Sequence, residues 1–219
     1  MDLPIIAYVQ FVAQALPIIA ILVARGRHPS VPYRRIALWC GILILMDVAA
    51  LISIMRRGYN LDLPYVFLPI EVALSLWIMA AWQASNERAR RFLLAIPVVL
   101  VLAFGIMLLL GPRHVFPRIV SPGLALVGLS GVLFTWVTRT LESRSQLQYE
   151  GWFWVCMGMC LFWMTFISTP IFGEIFLESR RSWVHAANLT RNWVNLAAFL
   201  MITWGVLCPR LRPLQPGFS

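Results

Sequence analysis

The sequence predicts an all-α protein: a polytopic membrane bundle of seven transmembrane helices, N-terminus outside and C-terminus in the cytoplasm. Three observations predict it. Hydrophobic residues fill 60% of the 219 positions and charged residues only 12%, against about 25% charged in a soluble domain. Seven runs each approach the roughly 20 apolar residues that cross a hydrocarbon layer. The arginines collect in the short segments between those runs.

The first run, 4–24, has no basic residue before it and Arg25 and Arg27 after it. That is the reverse of a secretory leader, so it reads as a retained span with its N-terminus outside. The second run, 36–55, carries Asp47, and the third, 64–83, carries Glu71. The fourth is 92–111. The fifth, 119–138, is the weakest, because Pro122, Gly123, Gly128 and Gly131 interrupt it; without it every later segment would invert. The sixth, 152–171, holds Thr165, Ser168 and Thr169, and the seventh, 184–207, holds a cluster of amides and Arg191. Pro17, Pro69, Pro97 and Pro122 fall inside runs, where membrane helices tolerate them as kinks. Connections are short and no linker stands out, so 1–219 reads as one transmembrane domain whose neighbouring helices are antiparallel.

Arginine bias sets the orientation. Arg25, Arg27, Arg34, Arg35, Arg88, Arg90, Arg91, Arg139, Arg144, Arg210 and Arg212 lie in one set of loops, and Arg56, Arg57, Arg113, Arg118, Arg180 and Arg181 in the other. The richer set is assigned to the cytoplasm. Trp82, Trp136, Trp152 and Trp154 then fall at the inner interface and Trp183 at the outer one. The predicted location is a bacterial inner membrane.

The net charge of +9 does not signal nucleic acid, because the arginines form no continuous basic face. All 18 basic residues are Arg; without lysine, retinal-type and other Schiff-base chemistry is excluded. Cys40, Cys156, Cys160 and Cys208 fall in the cytoplasmic halves of their helices, where disulfides do not persist, and read as small packing residues. Of three histidines, His28 and His114 are in loops and His185 is in a span. One histidine with two acids does not make a zinc site, no Ser-His-Asp pattern is evident, and no cofactor is expected. Asn188-Leu189-Thr190 matches a glycosylation acceptor but lies within a span.

Ionisable residues inside a membrane are costly and mark function or pairing. Asp47, Glu71 and Arg191 each lie about seven or eight residues from the outer end of their runs, roughly 10–12 Å deep at 1.5 Å per residue. His185, Asn188, Arg191, Asn192 and Asn195 fall within an arc of about 120° on the seventh span. Gln10 and Gln14 lie at i, i+4 on the first span at a matching depth, and Ser75 is one turn below Glu71. This layer predicts a pocket in the outer half of the bundle lined by spans one, two, three and seven. Its candidate ligand-binding residues are Asp47, Glu71, Arg191, His185, Asn188, Asn192, Asn195, Gln10 and Gln14. The competing expectation is a buried ion triad of Asp47, Glu71 and Arg191 that only fixes helix register. The hydroxyls of span six are expected to bond back to their own helix carbonyls. The segment Phe172 to Arg181 reads as an outer loop able to cover the pocket.

Asp47 in span two, Leu68-Pro69-Ile70-Glu71 in span three, Phe153-Trp154 opening span six and the run Trp183-Val184-His185…Asn188…Asn192…Asn195 resemble a group of small seven-span bacterial membrane proteins, seen in Bacteroidetes-like and Gemmatimonas-like genomes. Arg191 is not matched in that group. The resemblance implies the architecture over the whole chain and no particular chemistry. Three functions are expected in order: a sensor that takes a small polar ligand from the outer side and signals to a partner in the membrane or cytoplasm; a small-solute transporter, proton-coupled or not; and an intramembrane enzyme acting on membrane lipids. No repeat relates spans 1–3 to 5–7, which counts against a repeat-built transporter.

Overall fold

The computed structural model describes residues 5–23, 31–57, 63–110, 121–143, 147–177 and 181–208, and every regular element among them is helical. The seven helices are α1 (Ile5–Val23), α2 (Val31–Arg57), α3 (Leu63–Trp82), α4 (Glu87–Leu110), α5 (Ser121–Glu142), α6 (Gly151–Leu177) and α7 (Arg181–Leu207), with one 3₁₀ turn, Leu147–Tyr149, before α6. They match the seven apolar runs in number and order. The shortest, α1, has 19 residues and the longest have 27, so they reach about 28 to 40 Å at 1.5 Å per residue.

Among the described residues three segments are long and apolar enough to cross a membrane: Val31–Ser53, Pro122–Glu142 and Gly151–Ser168. Tyr8–Val23 and Phe67–Trp82 are apolar but shorter. The remaining two helices begin on polar turns: α4 opens on Glu87, Arg88, Arg90 and Arg91, and the first half of α7 carries Arg181, Asn188, Arg191 and Asn192.

Six helices close a ring. α1 packs on α2, α2 on α3, α3 on α5, α5 on α6, α6 on α7, and α7 returns to α1; α4 lies outside, chiefly against α3. Side-chain contacts fix the directions. The start of α2 meets the end of α3, where the Arg35 guanidinium donates to the Trp77 carbonyl and lies 4.2 Å from the Trp77 ring centroid. The ends of α3 and α5 lie together, where Ser85 Oγ donates to Glu142 at 3.3 Å. The start of α6 meets the end of α7, where the Cys208 thiol contacts the Gln148 carbonyl at 3.5 Å. Arg34, Arg35, Arg88, Arg90, Arg91 and Arg139 therefore share one end of the bundle, called the basic end below. Trp82, Trp136, Trp152 and Trp154 gather there too: Trp82 against Tyr33, Trp136 and Trp152 against Phe153, and Trp154 donating to the Gln148 carbonyl at 2.9 Å.

Small residues let the helices approach. A Cβ on Gly158 of α6 would come within 2.5 Å of the Ala198 carbonyl oxygen, and one on Gly205 of α7 within 2.6 Å of the Gly151 carbonyl oxygen. Where lipid already solvates apolar side chains, close packing of this kind holds helices together. The glycines that weaken the pattern of the fifth run serve the same end. Gly128 leaves room for the Trp163 ring and Gly131 for Leu76, so the helix survives its glycines because neighbouring side chains fill their places. Pro122 begins the fifth span rather than kinking its interior. It is the second residue of α5, where a missing N–H costs no helical bond.

The core includes Trp39, Leu76, Met79, Met159, Trp163, Phe199 and Ile202, all fully buried. The exterior is apolar as well: Val12, Leu45, Val98, Leu102, Ile106 and Leu200 are among many exposed large hydrophobics, far more than the single patch a soluble monomer shows. The predicted outer loop Phe172–Arg181 is mostly helix. α6 continues to Leu177 and α7 begins at Arg181, because the apolar periodicity runs on through Ile171 and Phe172 into Ile175 and Phe176. Only residues 178–180 of that loop lie outside the described residues. All four cysteines are buried and none forms a disulfide among the described residues.

Candidate functional site

A cavity of about 220 Å³ opens in the half of the bundle away from the basic end. Five of the six ring helices line it. α1 contributes Gln10 and Gln14, α2 Leu43, Met46, Asp47 and Ala50, α3 Phe67, Leu68 and Glu71, α6 Phe162 and Phe166, and α7 Arg191 and Asn195. Six of the nine residues expected from the sequence therefore share one cavity wall. Asn192 is on α7 beside it, half-buried, with an Oδ1 that has no hydrogen-bond partner among the described residues. His185 and Asn188 belong to α7, and their side chains lie outside the described residues.

Helical spacing explains the convergence. Gln10 and Gln14 are one turn apart on α1, and Arg191 and Asn195 one turn apart on α7, so each pair presents one face. The opposite side of α7 carries Leu189 and Trp193, which are exposed. On α3, Glu71 is 8% exposed and Ser75 fully buried one turn further in.

The polar groups are joined only in part. Gln14 Nε2 donates to Asp47 Oδ2 at 2.7 Å, which ties α1 to α2. Thr165 Oγ1 lies 2.7 Å from the Phe162 carbonyl oxygen and 3.0 Å from Asn195 Oδ1. A hydroxyl has one proton. With that proton on the Phe162 carbonyl, the Asn195 amide is turned to donate to Thr165. Ser168 Oγ donates to the Thr165 carbonyl at 3.3 Å, so these span-six hydroxyls bond back to their own helix, and Thr165 bridges to α7 as well.

The charged groups are left open. Among the described residues no ion pair within 4.0 Å joins Arg191 to Asp47 or Glu71; those pairs that form lie at the basic end. Among the described residues Arg191 Nε, Glu71 Oε2 and Gln14 Oε1 are buried without a hydrogen-bond partner. A buried charge without a partner costs several kcal/mol, and an unmet buried polar atom about 1–3 kcal/mol. A triad that served only to fix register would have closed on itself.

The wall from α6 was not legible as part of a site. Phe162 and Phe166, one turn apart, look like ordinary core in a sequence, and the hydroxyls beside them drew the attention. Below the pocket, toward the basic end, aromatic side chains pack across the ring of helices. Trp39 stacks on Phe199 with centroids 5.9 Å apart, and Phe162 meets Trp39 edge-on at 5.3 Å. Among the described residues no group of three or more His, Cys, Asp or Glu could hold a metal ion. No family model, curated protein or solved structure matches the chain.

Proposed function

We propose that the protein is a seven-span membrane sensor that binds a small polar ligand in this cavity and acts through a partner protein. The observation that carries this reading is the cavity itself, in which buried polar atoms of Glu71, Arg191 and Gln14 meet without internal partners. In this reading the basic end faces the cytoplasm of a bacterial inner membrane, the N-terminus is outside, and the cavity takes its ligand from the outer side. The three long apolar helices, the apolar exterior and the gathering of arginines and tryptophans at one end support it, as does the resemblance to small seven-span bacterial proteins.

The aromatic plug of Trp39, Phe162 and Phe199 favours a sensor over a channel-like path, because it fills the ring between cavity and basic end. The ring favours a transporter as the second reading. α3 packs on α5 as α7 packs on α1, and α4 stands outside, so helices 1–3 and 5–7 form two triplets around one cavity without sequence repeats.

Thermal unfolding of the detergent-purified protein against a panel of small anions, amines, zwitterions and lipid headgroups tests the reading. A ligand at 100 times its Kd adds about 2.7 kcal/mol. Stabilisation by one chemical class supports a binding protein; no stabilisation by any class removes the pocket as a ligand site. Liposome uptake of the stabilising compound separates transport from sensing.

A further inference from the structure

We propose that the cavity takes a small zwitterion, a ligand carrying an ammonium and a carboxylate on a short apolar body, as an aliphatic amino acid does. This deepens the binding reading above and rests on it.

The argument begins with which charges are free. Asp47 already accepts a hydrogen bond from Gln14. Glu71 and Arg191 accept and donate none among the described residues, and each has a buried, unpartnered polar atom in a residue lining the cavity. One is a carboxyl and the other a guanidinium. In a ring ordered α1, α2, α3, α5, α6, α7, the helices bearing them, α3 and α7, stand on opposite sides. The cavity thus has a carboxyl pole, formed by Glu71 and Asp47 together, and a cationic pole at Arg191 beside the Asn195 amide.

Single-charge ligands fit this poorly. A phosphate or simple carboxylate bound at Arg191 would share a low-dielectric cavity with two carboxylates. A simple amine at Glu71 would leave the guanidinium unpaired and add a second cation near it. At buried sites like-charge neighbours of this kind are strongly unfavourable. A zwitterion gives each pole its complement and adds no net charge. The guanidinium fork suits a carboxylate in two-point contact.

Size and shape agree. A cavity of about 220 Å³ exceeds the roughly 150 Å³ that holds benzene and admits on the order of ten non-hydrogen atoms. Between the poles, Met46, Phe162 and Phe166 offer an apolar wall for a short side chain.

Three isosteric probes test this on the purified full chain in detergent. Valine carries both groups, isobutylamine only the ammonium, and isovalerate only the carboxylate. The expected result is a rise in Tm with valine, with no measurable rise with either half, and loss of the valine effect in Arg191→Gln and in Glu71→Gln. An equal rise with isobutylamine alone would make the site a cation site, and an equal rise with isovalerate alone an anion site. Either overturns the zwitterion while leaving the pocket as a binding site. No rise with all three, while another member of the wider panel stabilises, also overturns the zwitterion alone; no rise with any compound overturns both readings. If a variant fails to fold, binding of radiolabelled valine to the wild-type protein, displaced by unlabelled valine and not by either half, decides the matter.

Discussion

The two ends of the bundle treat charge in opposite ways. At the basic end several charged side chains find partners within the protein, although Nε of Arg35 and of Arg139 has none among the described residues. Arg90 and Arg91 pair with Glu87 at 3.4 and 3.0 Å, Arg139 pairs with Glu142 at 3.2 Å, and Arg35 caps a carbonyl and an indole. In the other half Glu71 is buried and Arg191 half-buried beside a cavity, and among the described residues neither makes an ion pair within 4.0 Å or a side-chain hydrogen bond. Pairs at a wet surface are worth little, about 0–1 kcal/mol, so the basic end spends its charges on orientation and solubility. Buried charges are costly, so a fold that holds them apart gains nothing from them until something enters.

The comparison breaks most severely if the plug is removed. Trp39→Ala deletes a fully buried ring between the two halves and should cost about 3–5 kcal/mol, read as a large fall in Tm in detergent. The next effect is at the α6–α7 seam. Gly158→Val places a Cβ against the Ala198 carbonyl and should cost about 1–3 kcal/mol, with loss of monodispersity on size exclusion. Sharpening comes from smaller changes at the basic end. Asn86 Oδ1 accepts from the Ala89 N–H at 3.1 Å and caps α4, so Asn86→Ala should cost about 1 kcal/mol and leave any ligand shift unchanged.

The smallest effect is a pH dependence. A hydrogen bond from Arg91, and then the charges of Arg90 and Arg91, hold the exposed Glu87 carboxyl below its usual range. A depressed folded-state pKa gives stability that is present above the unfolded pKa of about 4.3 and is lost as pH falls through the lower folded value. Acid below pH 4 should therefore remove a small stabilisation that Glu87→Gln lacks at every pH, measured by comparing the two Tm profiles. Added salt should shrink it too.

Much of this was legible in the sequence, for physical reasons. Apolar run length located all seven helices, because a helix that faces lipid or core must be apolar along its whole length. The rarity of charge in those runs singled out Asp47, Glu71 and Arg191, and helical spacing added Gln10, Gln14 and Asn195. Three things were not legible. Whether the charges close into a triad or stay apart depends on side-chain reach across the ring, which spacing along one helix does not encode. The aromatic wall of Phe162 and Phe166 has the same signature as core. The position of α4 outside the ring follows from which helices pack, and its sequence is as apolar as its neighbours'.

The most direct test of the account is the thermal stability of Arg191→Gln without ligand, at pH 5 and pH 8. If Arg191 waits for a ligand, removing its charge leaves Tm at or above that of wild type at both pH values, since no ion pair within 4.0 Å among the described residues is lost. If Arg191 is the brace of a structural triad, the variant loses about 3–5 kcal/mol and unfolds early at both, and the account of an open site is wrong.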